Sequence, residues 1–60
     1  MAQSQYYFTI RQDENGNYRA RFWGNYGREL IWWTEGYYGR SGAENAIRIM
    51  RAQAATAPLL

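Results

Sequence analysis

Tyr18-Arg19-Ala20-Arg21-Phe22-Trp23 decides the fold. In an extended chain Tyr18, Ala20 and Phe22 point to one side, and Arg19, Arg21 and Trp23 to the other. That is a strand with one face on a core and one face outside it. Just upstream, Asp13-Glu14-Asn15-Gly16-Asn17 contains Asn-Gly, a strong hairpin signal. Before the turn, Tyr6-Tyr7-Phe8-Thr9-Ile10-Arg11 is rich in aromatic and β-branched residues and reads as the first strand. Downstream, Gly24-Asn25-Tyr26-Gly27 is a second turn, and residues 28–34 read as a third strand. Its Leu30-Ile31-Trp32-Trp33 is apolar on both faces, which fits a strand covered on both sides, at a sheet centre or a subunit contact. A shift of one residue in register exchanges Trp32 and Trp33, so both remain open as the residue that faces the core.

Beyond a glycine-punctuated connection, Ser41-Gly42-Ala43-Glu44 fits a capping box, with Ser41 and Glu44 as the helix cap. Ala43, Ala46, Ile47, Met50 and Ala54 then fall on one stripe of a helix. Arg48 and Arg51 lie on the solvent side, where Glu44 is placed to pair with Arg48. Pro58 forbids further helix. The fold class is α+β: a three-stranded antiparallel meander followed by one helix. Phe8, Ile10, Tyr18, Ala20 and Phe22 are expected to pack under the helical stripe. Residues 1–5 are expected to be a disordered polar start, residues 6–55 one domain, and residues 56–60 a tail or a short exchanged strand.

Sixty residues make one domain with a small core. Such domains usually need a staple. Without cysteine or histidine, disulfides, thiolate sites and the commonest metal ligand are excluded. Association with another subunit is the staple left. The same absences remove the usual nucleophile and general base. The acids Glu29, Glu35 and Glu44 are then the only candidates for a carboxylate site. Glu44 reads more simply as a cap, and Glu35 as a hydrogen-bonding partner of the turn that follows it. No enzyme, metal or cofactor is expected. No secretory signal or membrane span is read, so a cytoplasmic location is expected. Net charge is only +2, and all seven basic residues are arginine, which stacks and binds bidentately better than lysine. Eleven aromatic rings exceed what so small a core encloses, so some must line a surface or an interface.

Glu35-Gly36-Tyr37, then Arg40, then Ala43-Glu44-Asn45-Ala46-Ile47, together with the upstream Asn15-Gly16, Tyr18-Arg19 and Phe22, resembles the YegP-like family of small domains of unknown function. The resemblance covers roughly residues 6–52. It implies a β-β-β-α-β unit, used in tandem or as two subunits that share one continuous sheet and exchange their last short strands. A single copy implies a homodimer. The second turn is one residue longer than the family's usual hairpin, which implies a bulge.

The sharper feature is the second face of the sheet, with Tyr7, Thr9 and Arg11 beside Arg19, Arg21 and Trp23. Ile31 and Trp33 are expected to continue it, or Trp32 if the register slips. Tyr7, Arg11, Arg19, Arg21, Trp23 and Trp33 form the candidate partner face. Aromatic rings interleaved with arginine on an open sheet are similar to a stacking platform for single-stranded nucleic acid. The plainer reading is cross-strand packing, with the tryptophans covered by a second subunit or a protein partner.

Overall fold

A computed structural model describes residues 4–60. The expected disorder of residues 1–5 therefore falls, for residues 1–3, outside the described residues. Three strands, β1 (Tyr7–Gln12), β2 (Tyr18–Gly24) and β3 (Glu29–Trp33), form one antiparallel sheet in the order β1-β2-β3. A 14-residue helix, α1 (Arg40–Gln53), follows. Residues 57–60 take no regular structure in the single chain.

The first hairpin closes as its sequence requires. Gly16 adopts φ +83°, the left-handed region that glycine enters without penalty. Its N–H donates to the Asp13 carbonyl at 3.0 Å, and the Asp13 N–H donates to the Asn17 carbonyl at 2.7 Å. The register that results sets Phe8 opposite Phe22 and Ile10 opposite Ala20. These residues share the helix side of the sheet. Ala20 and Ala43 are both fully buried; two small side chains let the helix backbone come close to β2. Ala46, Ile47 and Met50 are half-buried along the expected stripe, whereas Ala54 is exposed. Phe8 and Phe22 pack with ring centroids 4.8 Å apart, and Tyr6 stacks on Phe22 at 6.0 Å.

A bulge settles the third strand. Phe22 pairs with Trp32, but Trp23 pairs with Leu30, so Ile31 has no partner on β2. Trp32 therefore faces the helix side, where it meets Phe8 edge-on with ring centroids 6.1 Å apart. Trp33 faces the open side, opposite Arg21. Ile31 does not continue the open face, contrary to the alternation of the sequence. Its Cδ1 lies only 2.6 Å from where a Cβ on Gly24 would stand, with Tyr6 Cε1 at 3.0 Å, so this corner is filled because residue 24 is glycine.

The capping box does not form. The helix begins at Arg40, before Ser41, with Gly39 at the N-cap and no side-chain cap hydrogen bond. The cause lies upstream. Tyr18 and Tyr37 exchange two backbone hydrogen bonds, at 2.7 and 2.8 Å, which anchor the chain at Tyr37. Gly42 then packs directly against the Tyr37 ring, and the helix is already under way there. Glu44 is left on the surface 3.5 Å from Arg40, while Arg48 donates to Asn45 Oδ1. Tyr38, unlike Tyr37, packs against little and is 89% exposed. The Glu35 side chain is exposed and makes no hydrogen bond or ion pair among the described residues; its backbone carbonyl accepts from the Thr34 hydroxyl. No helix among the described residues is long and apolar enough to cross a membrane.

Candidate functional site

The open face is built by the alternate residues of three strands. Tyr7 lies opposite Trp23, Thr9 opposite Arg21, and Arg11 opposite Arg19. On the other side of β2, Arg21 faces Trp33 and Trp23 faces Leu30. The register thus brings all six candidate residues onto one surface. It adds Leu30, which the bulge turns to this side and which is 40% exposed.

The six are not equivalent. Arg19 is engaged: its Nε donates to Asp13 Oδ2 at 2.9 Å and its Nη1 donates to the Thr34 carbonyl at 3.2 Å. Asp13 Oδ1 accepts the backbone N–H groups of Asn15 and Asn17, each at 2.9 Å. Hydrogen bonding from Arg19, then from the Asn17 and Asn15 amides, holds the Asp13 carboxyl below its ordinary range. Arg19 therefore ties the first turn to the end of β3. Trp23 is also fixed, because its Nε1 donates to Thr9 Oγ1 at 2.9 Å across the strands. The Tyr7 hydroxyl reaches over Gly27 in the second turn.

Trp33, Arg11 and Arg21 remain. Trp33 is 60% exposed, Arg11 is exposed and Arg21 is half-buried. Among the described residues neither free arginine forms an ion pair or a side-chain hydrogen bond. The face is therefore flat, apolar towards β3 and cationic towards β1. Among the described residues there is no cavity and no group of three potential metal ligands. Such a surface can bind by burial, stacking and charge.

Sequence reasoning missed the Asp13–Arg19–Thr34 link and the place of Leu30. A signal for the first was present: an Asp two residues before Asn15-Gly16 suits a side chain that accepts from turn amides. Nothing local marked the second.

A family model described as a domain of unknown function (DUF1508) matches residues 13–60. The chain belongs to that family. The DUF1508 match takes in the Asp13 turn, β2, β3 and α1, and so four of the six face residues: Arg19, Arg21, Trp23 and Trp33. The chain is also similar to UPF0339 protein Msl4696 of Mesorhizobium japonicum, with 40% identity over 52 residues, 87% of this chain and 86% of that one. No solved structure matches it.

Proposed function

We propose that this DUF1508 chain is a non-catalytic interaction module of the YegP-like kind, working as a homodimer in the cytoplasm. One observation carries the proposal: among the described residues no hydrophobic side chain other than two alanines is fully buried, while Trp33, Leu30 and Ile31 stand exposed together on one strand. The surface area points the same way. The chain exposes 4990 Å². A compact monomer of 7.1 kDa exposes about 4,100 Å². Part of the excess belongs to residues 57–60. The rest is of the order of the area, about 800 Å², that each partner contributes to a standard interface. Cysteine and histidine are absent, which leaves the fold without a disulfide or histidine-metal staple and without the usual catalytic groups. Light scattering on serial dilution tests the reading. A mass of twice 7.1 kDa at micromolar concentration supports it, and a single chain throughout overturns it.

A second reading is favoured by the two free arginines. Arg11 and Arg21 flank a fixed Trp23 and an exposed Trp33, an arrangement suited to a phosphate chain with stacked bases. Tryptophan fluorescence during titration with short single- and double-stranded oligonucleotides tests it. Saturable quenching that weakens with salt and is lost in both Arg21→Ala and Trp23→Ala supports a nucleic-acid face. An unchanged spectrum at low salt removes it.

A further inference from the structure

We infer that the homodimer is made at the free edge of β3, with Trp33 of one copy paired to Trp33 of a second copy in antiparallel register; this rests on the homodimer reading above. The backbone alternation leads there. The Thr34 N–H donates to the Ala20 carbonyl, and the Tyr18 and Tyr37 amides and carbonyls bond each other. Ala20 and Tyr18 therefore turn their backbone groups towards β3. Adjacent residues of an antiparallel strand turn them to opposite sides. Arg21 and Arg19 thus serve β1, and Trp33, opposite Arg21, directs its own N–H and C=O away from the sheet. By the same alternation Phe8 and Ile10 direct theirs outwards from β1.

The two edges differ in what surrounds those groups. β1 lies against α1, its apolar residues Phe8 and Ile10 are half-buried, and it ends in the exposed polar pair Arg11-Gln12. β3 carries no lysine or proline to blunt its edge. Its exposed apolar side chains stand on both faces: Trp33 and Leu30 on the open side, Ile31 (45% exposed) on the helix side. A partner lying on the open face would leave Ile31 in water. A partner beside the helix would leave Trp33 and Leu30. Addition at the edge covers all three, and a second copy brings an equivalent set. The bulge at Ile31 breaks the edge towards Leu30, which limits regular pairing to the Trp32–Trp33 end and centres it on Trp33.

Hydrogen exchange of the native chain, read amide by amide alongside its mass by light scattering, tests the inference. Trp33 is expected to exchange more slowly as concentration rises, on the order of 100-fold when free chain stands at about 100 times the dissociation constant. Phe8 and Ile10 should show no such dependence. A dimer in which Phe8 and Ile10 gain protection and Trp33 does not overturns the β3 edge and leaves the homodimer standing. A chain that stays monomeric overturns both.

Discussion

Thr34 Oγ1 accepts the Ala20 N–H at 3.1 Å, while the Thr34 N–H donates to the Ala20 carbonyl at 3.0 Å. A side-chain hydroxyl thus continues the ladder one step past β3, beside the fully buried Ala20, and Thr34 itself is 8% exposed. Thr34→Val keeps the shape and removes the acceptor. It leaves a buried N–H unpaired, so the chain should lose about 1–3 kcal/mol in urea unfolding. Thr34→Ser should retain most of the stability. Equal midpoints for the Thr34→Val and wild-type chains would show that this hydroxyl contributes nothing.

Acid should loosen the first turn through Asp13. Its carboxyl is held below the ordinary value of 3.8, first by the Arg19 hydrogen bond and then by the Asn17 amide. A folded pKa below the unfolded one gives stability that is complete above the unfolded value. That stability is lost as pH falls through the folded value. The urea midpoint of the native chain should therefore decline below about pH 4. The Asp13→Asn chain should be less stable at pH 7 and flatter over the same acid range. Parallel curves for the two chains would contradict the assignment.

Gly42→Ala sets two effects against each other. Alanine within a helix gains about 1 kcal/mol over glycine. Here the new methyl would meet Tyr37 Cβ and Cγ at 2.9 Å, close to a backbone pinned by the Tyr18 bridge, so the ring base has little room to move. Overpacking of this kind costs about 1–3 kcal/mol, and the net effect should be a loss. Thermal unfolding followed by circular dichroism decides the sign.

Arg19 and Arg21 look alike in the sequence and should behave differently. Arg19→Ala releases both Asp13 and the Thr34 carbonyl, so it should lower the denaturation midpoint clearly. Arg21→Ala breaks no hydrogen bond among the described residues and should change stability by no more than about 0.5 kcal/mol. Parallel urea titrations of the two variants compare them directly.

The period-two pattern of residues 18–23, the Asn-Gly turn and the helical stripe made the sheet, its two faces and the helix legible. Each of these is a local signal that the packing agrees with. Trp32 and Trp33 could not be sorted, because the bulge that sorts them comes from how the second turn meets β2. The cap was misread at Ser41 because the helix start is set by a bridge between Tyr18 and Tyr37, nineteen positions apart. The face residues were read correctly as a set. That Arg19 is engaged and Arg21 free depends on the position of Asp13 across the hairpin.

The homodimer reading turns on a chain too small to bury its own tryptophans. Sedimentation equilibrium of the intact chain from about 1 to 100 μM, the range over which weak self-association is resolved, tests this most directly. A homodimer predicts a reversible shift towards twice 7.1 kDa as concentration rises. A constant mass of 7.1 kDa across the range would contradict it.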